Sequence, residues 1–224
     1  MTWLVVSGFG GVVGLDATSF AQTMISRPLI AATITGMFLG RPAEAMFLGS
    51  ILELFALVIL PVGAARYPES GTAAVAATAA YMTATPLLSP AVVLLAVLFA
   101  LLWEHVGGVS VVWTRRYNER LVVLEPSASE QHVDRVLEQR HRLALLIDFL
   151  RAFVVTLIGM LVGGLALRQL AQLWSLDAMI APAILSIGIA CMVGAALPLF
   201  GGLRARKAAF GVGLALGLLL LLFQ

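Results

Sequence analysis

The sequence is poor in charged residues and contains a single cysteine. Only 12% of its 224 residues are charged, whereas 61% are hydrophobic, and the mean hydropathy is +1.01. A soluble domain carries about 25% charged residues, so a soluble protein of this composition could not cover its own surface. The one cysteine, Cys191, excludes a disulfide within the chain and a metal site of cysteine spacing. The composition therefore predicts a membrane protein.

Sequence signatures of the common enzyme classes are also missing. The chain has no GxSxG, HExxH or P-loop motif, and no GxGxxG opening a helix after a strand. It has no basic stripe with interleaved aromatic residues, which a nucleic-acid-binding protein would need. We therefore predict a non-catalytic membrane protein that uses no cofactor or metal and has no nucleic-acid partner.

Long apolar runs dominate what is present. Lipid admits only helices and closed barrels, and continuous runs favour helices over alternating strands. We predict an all-α integral membrane protein of multiple spanning helices, with broken or re-entrant segments in the N-terminal half, where Gly, Pro and charges interrupt the runs. The runs of the N-terminal half are 3–15, 28–40, 43–60 and 72–85. Those long enough to span are 90–113, 143–168 and 178–200, followed by a last apolar helix at 208–223.

One sustained polar segment, residues 114–142, divides the chain. Val133, Val136 and Leu137 recur at helical spacing, so we expect its second half to be a helix. It holds six arginines, and three more basic residues lie at 204–207, two spans later. The positive-inside rule places both in the cytoplasm.

The predicted organisation is a single membrane domain over residues 1–224. It comprises a substrate-site half at 1–113, a cytoplasmic loop at 114–142 and spanning helices at 143–224. The first residues lack the basic stretch of a cleavable signal peptide, so we expect the first segment to remain in the mature protein.

Polar side chains in the first half are candidates for a solute site. Glu53 lies ten residues into an apolar run, where a charge costs roughly 2.5–3.5 kcal/mol. We expect it either to pair with Arg27 or Arg66, or to bind a polar solute. Carboxylates, an amide and arginines suit the hydroxyl groups of a neutral polyol. In the second half, Asp148 and Arg151 are expected to pair at three-residue spacing. The candidate substrate-binding residues are Asp16, Gln22, Arg27, Glu53, Arg66 and Glu69.

Residues 14–80 resemble the membrane subunit IIC of the mannose–fructose–sorbose class of the bacterial phosphotransferase system. The matching pieces are RPLIAATITGMFLG, LGSILELFAL and VGAARYPESG. The resemblance implies a sugar permease of the bacterial inner (plasma) membrane that pairs with a IID membrane subunit and assembles as an oligomer of such pairs. It also implies that cytoplasmic IIA and IIB subunits phosphorylate the transported hexose, while this chain carries no phosphoryl group.

The resemblance extends to individual residues. Glu53 matches the glutamate of the family motif GG-x-LE, with Ser50 in place of the second glycine, and Arg27 matches an Arg-Pro pair. Asp16 and Gln22 match acidic and amide positions upstream, and Glu69 matches an acidic residue after a proline. These matches imply sugar-binding or site-shaping roles.

Two alternatives to the sugar-permease reading remain open. One is a transporter of a polar solute that is not coupled to phosphorylation. The other is a membrane scaffold or receptor subunit without transport. The C-terminus is shorter than expected for the family, which favours keeping the second alternative.

Overall fold

The computed structural model describes residues 2–57, 67–84, 89–121, 130–173 and 180–201, with residues 207–208, 211–212 and 215 near the C-terminus. Within these residues the chain is helical and has no strand, which confirms the predicted all-α class. The helices are α1 Thr2–Thr18, α2 Pro28–Phe38, α3 Pro42–Ala56, α4 Ser70–Thr83, α5 Pro90–Leu121, α6 Glu130–Leu173 and α7 Ile180–Ala196, with a final 3₁₀ turn at Leu197–Phe200.

The helices fall into two length classes. Among the described residues, three helices are long and apolar enough to cross a membrane, namely Pro90–Leu121, Asp134–Leu173 and Ile180–Leu199. They contain most of the three predicted spans. The helices α1 to α4 have only 11–17 residues each. The predicted contrast between a broken first half and an ordinary spanning second half is therefore confirmed, whereas the predicted helix 208–223 lies mostly outside the described residues.

The polar segment 114–142 is more helical than its composition indicates. Helix α5 continues to Leu121 and α6 begins at Glu130, so only 122–129, outside the described residues, separates them. Arginine, glutamate and leucine are strong helix formers, so a helix need not end where its apolar run ends. The expected helix in the second half of this segment is confirmed by α6, and its first residues continue α5. The division of the chain at 114–142 and the cytoplasmic placement of this segment stay predictions.

Helices α2 and α3 form an antiparallel hairpin. Each starts with a proline at its first turn, where the missing N–H costs no hydrogen bond. Gly40 ends α2 with φ +73°, a conformation that glycine adopts without steric cost. The Arg41 N–H then donates to the Gly36 carbonyl at 2.8 Å, which closes the helix end. The hairpin carries Arg27 just before its first helix and Glu53 on its second.

Helix α4 lies at the centre of the fold. Every residue from Gly71 to Tyr81 is buried, and all of these side chains except that of Tyr81 are no larger than threonine or valine. Small side chains let helices approach closely in a membrane, and α4 contacts α1, α2, α5 and α6. The residue that precedes α4, Glu69, is therefore held at the meeting point of several helices.

Candidate functional site

Glu69 and Arg151 form a buried two-point ion pair. Arg151 Nη1 donates to Glu69 Oε2 at 2.7 Å, and Nη2 donates to Oε1 at 2.8 Å. The Glu69 side chain is 0% exposed and the Arg151 side chain 7%. A buried charge is tolerated only with a well-placed partner, so each of the two side chains requires the other.

Arg151 extends this pair into a network that joins four helices. Its Nε donates to Asp148 Oδ1 at 2.8 Å, and its Nη1 to Ser110 Oγ at 3.0 Å. Asp148 Oδ2 in turn accepts from Thr18 Oγ1 at 2.6 Å and from the Ser19 hydroxyl. The end of α1, the start of α4, α5 and α6 are thereby connected through one arginine.

Two glycines make room for the Glu69 carboxylate. A Cβ added at Gly107 of α5 would lie 2.8 Å from Oε2, and one at Gly14 of α1 would lie 3.4 Å from Oε1. The Glu69 N–H also donates to the Glu104 carbonyl of α5 at 2.9 Å. The sequence thus supplies glycine where two helices press against a buried carboxylate.

Arg27 and Glu53 form a second ion pair, which is more open. Arg27 Nε donates to Glu53 Oε1 at 2.7 Å, and Nη2 donates to the same oxygen. The Leu29 N–H at the start of α2 donates to Oε2 at 3.2 Å. The two side chains are 35% and 20% exposed. This pair fixes the entry into α2 against the last turn of α3 while leaving part of both side chains accessible.

Asp16 organises the loop between α1 and α2. Its Oδ1 accepts from the Thr23 N–H and from Thr23 Oγ1 at 2.8 Å, and its Oδ2 accepts from the Ser26 N–H at 2.9 Å. Gln22 is exposed and has a φ of +51°, which is uncommon for a residue other than glycine. Asp16 therefore binds backbone, and Gln22 lies on the outer side of the loop that Asp16 shapes.

A small cavity brings these pieces together. It has a volume of about 80 Å³ and is lined by Ser26, Arg27, Tyr67 and Glu69, among others. Ligand pockets usually measure about 300–1,000 Å³, so this cavity is smaller than a typical ligand pocket. The stretch from Tyr67 to Gly71, the described end of the matching piece VGAARYPESG, forms one wall of it.

The structure brings some of the predicted site residues together and separates others. Arg27 and Glu53 form an ion pair, which confirms the expectation that Glu53 pairs with Arg27 or Arg66. Arg27 also lines the same cavity as Glu69. Arg66 lies outside the described residues. The predicted pairing of Asp148 with Arg151 is confirmed, but sequence reasoning missed the Arg151–Glu69 contact. The sequence did contain a signal for this contact. Arg151 is a charge inside the apolar run 143–168, which costs as much free energy as Glu53 does and therefore needs a partner.

Comparison with known proteins places the geometry in context. A family model described as "PTS system sorbose-specific iic component" matches residues 1–202. A protein of Lacticaseibacillus casei named "PTS system sorbose-specific EIIC component" is 41% identical over 76 residues, which is 34% of this chain and 25% of that protein. A protein of Klebsiella pneumoniae with the same name is 40% identical over 70 residues, 31% of this chain and 24% of that protein.

A third relative is named for a different sugar, fructose. The "Fructose permease IIC component" of Bacillus subtilis (strain 168) is 33% identical over 81 residues, 36% of this chain and 29% of that protein. The matched stretch thus spans about a quarter of the length of these curated relatives. A solved structure titled "Structure of membrane protein" has a TM-score of 0.63 at 19% identity, covering 99% of this chain and 94% of that one. It shares the fold.

Proposed function

The chain belongs to the family of sorbose-specific IIC components of the phosphotransferase system, and we propose that it is the sugar-permease subunit of such a system. In this proposal it lies in the bacterial inner membrane, crosses it several times and binds a hexose. It passes the sugar across beside a IID subunit, in an oligomer of such pairs. The observation that carries the proposal beyond family membership is that Arg27 and Glu69, each ion-paired, line one cavity.

The Arg27–Glu53 pair is the part of this site best suited to contact a sugar. Glu53 Oε1 accepts from Arg27 and Oε2 from the Leu29 N–H, yet an ionised carboxylate has about four acceptor positions. Oε1 already accepts from both Nε and Nη2 of Arg27, whereas Oε2 accepts only from the Leu29 N–H and therefore retains capacity for a hydroxyl donor. Arg27 Nη1 donates to no residue that the structure describes, so it can donate to a hydroxyl oxygen. We assign hydroxyl recognition to this pair.

Glu69 supports the site in a different way. Both its oxygens are bound by Arg151 and its side chain is fully buried, so a sugar has no access to it in this conformation. Glu69 nevertheless directly precedes α4 and is one of the residues that line the cavity, beside Tyr67. We assign Glu69 to fixing the wall of the site, and Asp16 to fixing the loop that carries Ser26 and Arg27.

The remaining part of the proposal concerns the partners. Cytoplasmic IIA and IIB subunits would supply the phosphoryl group, and this chain would hold and move the sugar without taking part in the covalent step. Two relatives are named for sorbose and one for fructose, so these are the first two sugars to test.

The test is uptake of radiolabelled hexoses by cells that express this chain with candidate IID, IIA and IIB subunits and have no competing system. Intracellular sugar phosphate is measured. Sugar phosphate that disappears when this chain is omitted supports the proposal. Accumulation of unmodified solute without the cytoplasmic subunits would replace it with an uncoupled transporter. An assembled complex that takes up no hexose would replace it with a scaffold or receptor subunit.

A further inference from the structure

A separate cleft lies between α5 and α6, at the end of the apolar run 90–113 of α5 and the start of the apolar run 143–168 of α6. It has a volume of about 540 Å³. Helix α5 forms one wall with two aromatic and two basic side chains, and Ile147 of α6 contributes to the other wall. None of these residues lines the cavity assigned to sugar. The α5 residues that carry the argument are Trp113, Arg116, Tyr117 and Arg120.

These four side chains point in one direction. At 3.6 residues per turn, they fall within an arc of about 100° around α5. Arg115, on another side of the helix, instead contacts the Tyr67 ring, with its guanidinium carbon 5.6 Å from the ring centroid. The acidic neighbour Glu119 is exposed and also falls outside the arc. The cleft wall is therefore aromatic and positively charged.

Arg116 and Arg120 have no partner among the residues that the structure describes. Both are exposed, and neither forms an ion pair or hydrogen bond there. Like charges one helical turn apart repel each other. An anion held between the two guanidinium groups would remove this repulsion, and arginine binds phosphate in a planar two-point geometry.

The same face of α5 continues as an apolar stripe toward the middle of the helix. Leu102 is 72% exposed, and Val106 and Val109 are also exposed one and two turns further along. Trp113 (71% exposed) then separates this stripe from the arginines, and Tyr117 (51% exposed) lies between Arg116 and Arg120. Tryptophan and tyrosine concentrate at the membrane–water interface. The order along the helix is thus an acyl-compatible surface, an interfacial tryptophan, and two arginines with a tyrosine between them.

The wall on α6 repeats the apolar part of this order. Leu143, Leu146 and Leu150 are exposed on either side of Ile147. The cleft therefore lies between two apolar surfaces at the end of two spans. A water-soluble acidic protein could reach the arginines but would gain nothing from the stripes, whereas a lipid matches the whole sequence of surfaces.

We propose that this cleft binds an anionic phospholipid. The headgroup phosphate lies between Arg116 and Arg120 beside Tyr117, the glycerol backbone lies at Trp113, and an acyl chain follows the stripe through Val109 and Leu102. Basic pockets between spanning helices bind anionic headgroups in this manner. Zwitterionic lipid fits the apolar part equally well but gains less from two uncompensated arginines.

The test is native mass spectrometry of the purified full-length chain titrated with phosphatidylglycerol or phosphatidylcholine. We expect the chain to retain phosphatidylglycerol preferentially, with a preference that weakens as salt is added. Arg116→Gln with Arg120→Gln should lower that preference about tenfold or more. Arg135→Gln with Arg142→Gln, on the exposed polar part of α6, removes the same charge and should leave it unchanged.

Several results would overturn the proposal. Equal retention of the two lipids by the unaltered chain would overturn it. This measurement needs no variant, so the test does not depend on whether a variant folds. The proposal would also be overturned if Arg135→Gln with Arg142→Gln lowered the preference for phosphatidylglycerol as much as Arg116→Gln with Arg120→Gln does. Competition by inorganic phosphate as strong as by phosphatidylglycerol would identify a phosphate site instead. Unchanged lipid retention together with lost binding of a cytoplasmic IIB subunit would assign the cleft to a protein partner.

Discussion

Arg151 and Glu69 are 82 positions apart in the chain, yet the two terminal nitrogens of one guanidinium group bind both oxygens of one buried carboxylate, at 2.7 and 2.8 Å. This contact ties the start of α4 to the first spanning part of α6. It also separates two kinds of charge in the candidate site: a buried pair that holds the helices, and an open pair, Arg27–Glu53, that remains accessible.

Arg151→Gln should destabilise the protein more than Glu69→Gln combined with Arg151→Gln. The single change leaves two buried carboxylates, Glu69 and Asp148, without their guanidinium partner, and breaking a buried pair costs about 3–5 kcal/mol. The double change removes one of those charges. The unfolding temperatures of the two variants in detergent are compared, with the folded fraction monitored by size-exclusion chromatography.

The control for this prediction is Arg142→Gln, which breaks an ion pair with Glu138 whose side chains are 76% and 63% exposed. Exposed pairs contribute about 0–1 kcal/mol, so its unfolding temperature should barely change. If the double variant is no more stable than Arg151→Gln alone, the two side chains are not coupled as the contact implies.

Gly107→Ala should perturb the site although it adds only a methyl group. That methyl group would lie 2.8 Å from Glu69 Oε2 and 2.9 Å from Glu69 Cβ. Overpacking of this kind costs about 1–3 kcal/mol. The matched change Gly8→Ala on α1 meets no atom within 4 Å and should be neutral or stabilising. Unfolding temperatures of the two variants are compared, and equal values would contradict the close packing around Glu69.

Glu53→Gln and Arg27→Gln should each lower sugar uptake about tenfold or more. A hydrogen bond to a charged group contributes about 1.5–3 kcal/mol, and each change removes the charge on one side of the pair. Glu44→Gln, in the first turn of the same helix as Glu53, is the control and should leave uptake unchanged. Uptake is normalised to the amount of chain in the membrane. Normal uptake by both variants would remove this pair from the sugar site.

Asp16→Asn should loosen the loop between α1 and α2. Asparagine offers one acceptor oxygen where Asp16 uses two, and its NH₂ group would face a donor, either at Thr23 or at Ser26. Amide hydrogen exchange at those two residues should therefore accelerate.

Gln22→Ala is the companion variant for this loop. Gln22 is exposed and makes no side-chain hydrogen bond to a described residue, so the exchange rates should stay as in the unaltered chain. Reduced uptake by Gln22→Ala with unchanged exchange would indicate that Gln22 contacts sugar directly. Slow exchange preserved in Asp16→Asn would contradict the role given to Asp16.

The sequence alone determined the class of the protein and the helices of its second half. Apolar length and low charge require spanning helices, since lipid satisfies no backbone group, so α5, α6 and α7 were predictable to within a few residues, apart from the polar ends of α5 and α6. The predicted pairing of Asp148 with Arg151 was also local, because three-residue spacing places both on one face of a helix.

The tertiary structure decided what the isolated charges do. Glu53 had two candidate partners, Arg27 and Arg66, and helix packing places Arg27 against it. Glu69 pairs with an arginine two helices further along the chain, a contact between residues so far apart in sequence that no periodic pattern encodes it. A charge in an apolar run indicates that the side chain has a partner, because the free-energy cost of its desolvation must be offset. Which partner it has depends on how short, small-residue helices pack around α4, and only the folded chain fixes that.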